Sequence, residues 1–151
     1  MIAATAQRTC YFDASALVKR YVDEPGRGEV LVLLSGSRAV TARFTFVEIT
    51  SALCRRRRDG QLSPSGAGAS LAAVARDIDA IDLVEFDAAG MARAMHLLER
   101  HALRAADAMQ LAACLIVRDD IDEAVVFACF DTRLRMAAAA EGIIVVPEAL
   151  A

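Results

Sequence analysis

Short apolar runs alternate with helix-length stretches from Thr9 to Val146, and that alternation leaves the chain few folds to choose from. Thr9 to Phe12 is apolar, ends in Asp13 and leads through Ser15 into Ala16, Leu17 and Tyr21, the pattern of a strand, a turn and a helix. Gly26 to Leu34 predicts a second helix, stopped at Ser35, Gly36 and Ser37, and Ala39 to Thr41 a short strand. Thr45 opens a helix that runs to Asp59 and Gly60. The Ser, Pro and Gly content between Gln61 and Gly68 predicts a loop, and Ala69 to Ala80 resumes a helical pattern. Ile81 to Phe86 is the next strand. Asp87 then caps a helix whose apolar Met91, Met95, Leu98 and Ala102 recur on one face. Another helix spans Ala105 to Val117. Ala124 to Phe130 is an unbroken apolar run, the mark of a strand buried on both faces. Thr132 to Ala140 is helical, Gly142 stops it, and Ile143 to Val146 is expected as a last buried strand before Pro147. Strands separated by helices pair in parallel and carry helices on both faces, so a three-layer α/β/α domain is expected.

The chain has 151 residues, 56% of them hydrophobic, which suits one domain over 1–151 with its core at about 9–146. A chain of this length buries roughly 70% of its unfolded surface and needs no disulfide or structural metal. Cys10, Cys54, Cys114 and Cys129 are far apart, and only His96 and His101 could join them in a zinc site, so they read as small buried hydrophobes. Charges interrupt every apolar run before it reaches membrane-spanning length, so no membrane partner is expected. Met1 to Phe12 lacks a basic start followed by a long apolar stretch and a cleavage site; no secretory signal is expected, and a cytoplasmic location is the default.

The acidic residues at the predicted junctions carry the chemistry. In a parallel α/β sheet the carboxyl ends of the strands and the amino ends of the following helices share one rim, where ligands bind. Asp13 ends the first strand and Asp131 follows the Ala124–Phe130 run. Glu48 and Asp107 fall in the first turns of their helices. Four separate stretches thus send a carboxylate to one rim. Crowded carboxylates repel and take up protons unless a cation joins them. An all-oxygen set selects Mg²⁺ or Mn²⁺, which can promote an in-line displacement at phosphorus, so phosphodiester hydrolysis is the expected chemistry.

Each acid also has an ordinary structural reading. Glu48 follows Thr45 by three residues, as in a capping box. Asp107 suits the positive end of a helix, and Asp131 could cap the helix that begins at Thr132. Asp13 is harder to explain this way, because Ser15 already offers a cap. The joint placement favours a site.

Tyr11-Phe-Asp-Ala-Ser-Ala-Leu-Val-Lys19, Phe46-Val-Glu-Ile49, Ala106-Asp-Ala-Met-Gln-Leu-Ala112 and Phe130-Asp-Thr-Arg-Leu134 together resemble the motif series of PIN-domain ribonucleases, in particular the VapC-type toxins of bacterial toxin–antitoxin modules. The resemblance runs from Thr9 to Val146; the stretch before Thr9 is longer than the family's typical start. It implies a PIN-like sheet of about five parallel strands with helices on both faces. It also implies a Mg²⁺- or Mn²⁺-dependent endoribonuclease leaving 3′-hydroxyl and 5′-phosphate ends, a homodimer, and a cognate antitoxin as partner. The family's acidic positions carry over to Asp13, Glu48, Asp107 and Asp131, with Asp13 and Asp107 as the principal metal ligands. Its small polar residue carries over to Ser15, which could bond a carboxylate or a substrate phosphate.

Arg55, Arg56, Arg57 and Arg58 stand in a row, and guanidinium forks suit RNA phosphates. Arg55 lies seven residues after Glu48 and returns to nearly the same helix face, which places it on the substrate path; Arg56 turns partly toward that face, while Arg57 and Arg58 face solvent. Two other enzyme classes that use an acid after a first strand fit less well. A haloacid-dehalogenase-like phosphatase needs a second acid where this chain has Ser15, and a phosphoacceptor receiver domain needs a late lysine, whereas Lys19 is the only one. A catalytically silent PIN-like module that binds RNA or a partner is the remaining alternative.

Overall fold

Consecutive residues of a strand point to opposite sides of a sheet, so a strand buried throughout must be covered on both. In the computed structural model, which describes residues 7–150, the first strand, β1 (Thr9–Phe12), is such a strand. Tyr11 packs into one core, and Cys10 and Phe12 into another on the far side. Residues 1–6 lie outside the described residues, and with them most of the segment read as carrying no secretory signal and as a long start.

The remaining elements follow the alternation. The single turn α1 (Ala14–Leu17) runs on into a 3-10 turn (Val18–Arg20), and α2 (Arg27–Gly36) leads to β2 (Arg38–Ala42). Two helices, α3 (Thr45–Arg58) and α4 (Pro64–Asp77), precede β3 (Asp82–Val84). Two more, α5 (Ala88–Arg100) and α6 (Ala105–Asp120), precede β4 (Val125–Ala128), and α7 (Thr132–Ala140) joins it to β5 (Ile144–Val146). All pairings are parallel, in the order β3-β2-β1-β4-β5. One core joins Tyr11 and Phe127 to Leu97, Leu111, Leu115 and Leu134, so α5, α6 and α7 cover that face. The other joins Cys10, Phe12 and Val126 to Leu17, Val30, Ile49 and Val74, so α1 to α4 cover the opposite one. This is the expected three-layer α/β/α domain. Among the described residues no helix is long and apolar enough to cross a membrane.

Four local expectations are corrected. The loop expected over Gln61 to Gly68 is mostly helix: Ser63 accepts the Gly66 N–H at 3.0 Å and Pro64 takes the first position of α4, where its missing N–H costs nothing. On α5 the apolar face of Met91, Met95 and Leu98 is exposed, and Gly90, Ala94 and Leu97 are buried instead. The reason is close packing, since a Cβ on Gly90 would lie 3.0 Å from the Phe86 ring and 3.3 Å from Ile116 of α6. Small residues let the helix approach, and the larger ones are left outside. Ile143 to Val146 gives an edge strand, with Ile144 56% exposed, because β5 is the outermost strand of the five. Cys129 and Phe130 leave the sheet after Ala128.

The chain order reverses between β1 and β4. From β1 the sheet grows one way through β2 and β3, then returns to add β4 and β5 on the other side. Connections leaving β1 and β4 therefore diverge and open a crevice above their carboxyl ends.

Candidate active site

Asp13, Ser15, Glu48, Arg55, Asp107 and Asp131 all line one cavity of about 670 Å³ in that crevice. Each is placed by a local rule. Asp13 continues the β1 ladder by one bond, its N–H reaching the Ala128 carbonyl at 3.1 Å, and then caps α1 by accepting the Ala16 N–H at 3.0 Å. The cap expected from Ser15 is thus supplied by Asp13. The Ser15 hydroxyl lies 2.8 and 3.0 Å from the two oxygens of Asp13 and accepts the Phe130 N–H at 2.8 Å. It is held between the ends of β1 and β4, committed to orienting the carboxylate.

Asp13 is 2% exposed, and burial pushes its carboxyl up to about 7 despite the bonds from Ser15, the Ala16 N–H and the Cys129 thiol at 3.5 Å. A charge there needs a counter-ion. Glu48 does not form the capping box with Thr45, because α3 starts one residue earlier with Phe44 at its cap and the Thr45 hydroxyl turns inward to Thr41. Its carboxylate instead accepts a hydrogen bond from the Gln110 amide. Burial raises the proton affinity of Glu48, the nearby Asp107 charge adds to that, and the Gln110 N–H and the Arg104 charge oppose it.

Asp131 does cap α7, one oxygen accepting the Leu134 N–H at 2.9 Å, while its other oxygen lies 3.8 Å from a nitrogen of Arg104. Asp107 accepts from Arg104 Nε at 3.0 Å. The Arg104 side chain is 77% exposed, so these pairs add little stability.

The tract splits as its geometry requires: Arg55 and Arg56 line the cavity, and Arg57 and Arg58 are exposed away from it. Arg56 donates to Glu24 at 2.7 Å, and Lys19 donates to the other Glu24 oxygen at 2.9 Å while lying 4.5 Å over the Phe130 ring. Gly26, at φ +91°, makes room for that ring, since a Cβ there would sit 2.4 Å from its edge.

Lys19, Glu24, Arg104, Gln110 and Phe130 line the cavity in addition to the expected site residues. Gln110 follows Asp107 by three residues and so shares its helix face, a signal that could have found it. Arg104 lies three before Asp107. Glu24 carries no such signal, because only the turn after α1 brings it to the cavity.

The donor set fits a hard cation. Five carboxylates and no Cys or His line the cavity; Glu24 is taken by Lys19 and Arg56, which leaves Asp13, Glu48, Asp107 and Asp131, and among the described residues no three His, Cys, Asp or Glu side chains already stand close enough together to hold an ion by themselves. Spread carboxylates suit an ion that keeps part of its water shell, as Mg²⁺ and Mn²⁺ do.

The parallel sheet with a carboxylate-lined cavity at its reversal point defines an α/β domain with a ligand site at its carboxyl edge, and the PIN domain family matches residues 10–140. Ribonuclease VapC45 and Ribonuclease VapC49, from two strains of Mycobacterium tuberculosis, are each 37% identical over 145 residues, spanning 93% of this chain and 96% of theirs. The chain belongs to the PIN-domain family, among its VapC ribonucleases. A toxin–antitoxin complex from Klebsiella pneumoniae has the same fold at a TM-score of 0.65 and 13% identity, covering 90% of this chain and 96% of that one.

Proposed function

We propose that this ribonuclease is a divalent-metal-dependent endoribonuclease, the toxin of a toxin–antitoxin pair, and that it hydrolyses RNA within the carboxylate cavity. The observation that carries the reading is the meeting of Asp13, Glu48, Asp107 and Asp131 in one cavity from four separate stretches of chain. A bound Mg²⁺ or Mn²⁺ supplies charge neutralisation and Lewis-acid activation for an in-line displacement at phosphorus. Asp13 and Asp107 are its principal ligands, directly or through water, and Glu48 and Asp131 complete the set. Ser15 holds the Asp13 carboxylate in register from its bond to the Phe130 N–H. Arg104, exposed beside Asp107 and Asp131 at the cavity, would be placed to offer its guanidinium to a substrate phosphate. The products on this reading are a 3′-hydroxyl and a 5′-phosphate.

A cognate antitoxin, cytoplasmic action and a homodimer belong to the same proposal. The similarly folded Klebsiella pneumoniae complex supports the antitoxin, and the exposed stripe of Met91, Met95 and Leu98 is a surface a second copy would bury. The test is cleavage of single-stranded RNA by the purified chain. Cleavage is expected with Mg²⁺ or Mn²⁺ and none in excess chelator. Equal cleavage in chelator overturns the metal dependence, and RNA binding with no cleavage under any metal selects the silent-module alternative.

Arg55 gives a second check. Arg55→Ala is expected to weaken RNA binding and to flatten the log–log salt dependence by about 0.7, the change for one phosphate contact on a single strand. Arg58→Ala removes the same charge from the same helix away from the cavity. A salt series in which both variants behave alike would show that the tract acts only through general charge.

A further inference from the structure

Behind the cavity, the buried Tyr11, Thr41, Thr45 and Gln110 form one chain of hydrogen bonds with Gln110 at its centre. Gln110 is 1% exposed, and its Oε1 accepts from the Tyr11 hydroxyl at 2.8 Å. Its Nε2 donates to Thr45 Oγ1 at 2.9 Å and to Glu48 Oε2. Thr41 gives its one proton to the Phe12 carbonyl at 2.7 Å, so the 2.9 Å contact between the Thr41 and Thr45 hydroxyls is donated by Thr45. The donors therefore run in one direction, from the amide to the carbonyl of the residue preceding Asp13. That order fixes the amide: turned over, its oxygen would face the Glu48 carboxylate and a Thr45 oxygen whose proton is already committed.

A buried amide is a costly way to fill space that an apolar side chain of the same length could fill. Gln110 differs from such a side chain at the one end that reaches the cavity, which it lines beside Glu48. We propose that Gln110 is a positioning residue: through its amide N–H it holds the Glu48 carboxylate toward the cavity, and it thereby sets the affinity of the site for a divalent cation. The inference rests on the reading of Glu48 as a metal-side carboxylate, which the experiment tests separately.

The measurement is the dissociation constant of Mn²⁺ at one fixed pH, followed through the paramagnetic resonance signal of free Mn²⁺, with the full chain and its variants. Gln110→Met keeps the length of the side chain and removes all three of its hydrogen bonds; it is expected to weaken Mn²⁺ binding about tenfold, as the loss of a residue bonded to a metal ligand commonly does. In a Glu48→Gln background the same substitution is expected to add no further loss, because the two changes act through one carboxylate. Tyr11→Phe keeps the ring and removes the hydroxyl that orients the amide. It is expected to give a smaller loss, also absent in the Glu48→Gln background, and it decides the matter if Gln110→Met does not fold. Unchanged affinity in both variants, or equal losses in the two backgrounds, overturns the proposal while leaving Glu48 in the site. If Glu48→Gln itself binds Mn²⁺ as tightly as the unaltered chain, Glu48 is not a metal-side group, and that part of the functional reading falls together with the inference.

Discussion

Asp107→Asn is expected to lower RNA cleavage by about a thousandfold and to leave the metal-free fold almost as stable as before. The first figure corresponds to about 4 kcal/mol of transition-state stabilisation, within what a bound cation and its ligands contribute to a phosphoryl displacement. The second follows from offsetting small effects. The substitution gives up a pairing with an exposed Arg104 and a favourable charge in the first turn of α6, and it relieves repulsion against the half-buried Glu48. For a chain of this size the melting temperature is expected to move by no more than about 3 °C. Single-turnover cleavage and thermal melts without metal check the two halves. Cleavage within tenfold of the unaltered chain would remove Asp107 from the site, and a large fall in melting temperature would make its role structural.

Asp13 is expected to give the metal-free protein an unusual pH dependence. Its carboxyl is pushed from the ordinary 3.8 up to about 7 by burial. Between those values the folded chain holds a proton that the unfolded chain has released. Folding therefore gains from Asp13 at low pH, and that gain is lost as pH rises through the window, down to a floor above about pH 7. The full change is on the order of 4 kcal/mol, opposite in sign to the contribution of Asp77, whose carboxyl is held below its ordinary value chiefly by bonds from Arg20 and Tyr21. Urea unfolding at about pH 5 and pH 8 reads the part of that change that falls between them, about 2–3 kcal/mol, and Asp13→Asn isolates it, because asparagine caps α1 as well as aspartate does. Mg²⁺ is expected to restore stability at the upper pH by binding the folded state alone. A fall no larger in the unaltered chain than in Asp13→Asn would show that the buried carboxylate is already compensated within the fold.

The two predictions differ in how far the sequence foreshadows them. That Asp107 sits in the first turn of a helix beside other acids is legible from its spacing. That Asp13 is almost fully buried and bonded by a serine, a backbone amide and a thiol is not, because Cys129 lies 116 positions away and meets it only when β1 and β4 pair. The capping box read at Thr45 and Glu48 fails for a similar reason: the partner for the Thr45 hydroxyl is Thr41 at the end of β2, and the partner for Glu48 is on α6. On α5 hydrophobicity does not mark the buried face, because a glycine and an alanine allow the approach to α6 that leaves two methionines outside.

Local pattern was enough to determine the alternation of strands and helices, the two-sided burial of β4 and the placing of four acids at strand ends and first helical turns, because those properties depend on residues near in sequence. Strand order was not determined locally. Parallel strands pair through backbone groups that are the same at every residue, so only the packing of both cores decides that β4 lies beside β1 and that the chain reverses there. That reversal opens the crevice and sets Asp131 across from Asp13, and the packing around it brings in Glu24, whose own stretch of sequence carries no mark of the site.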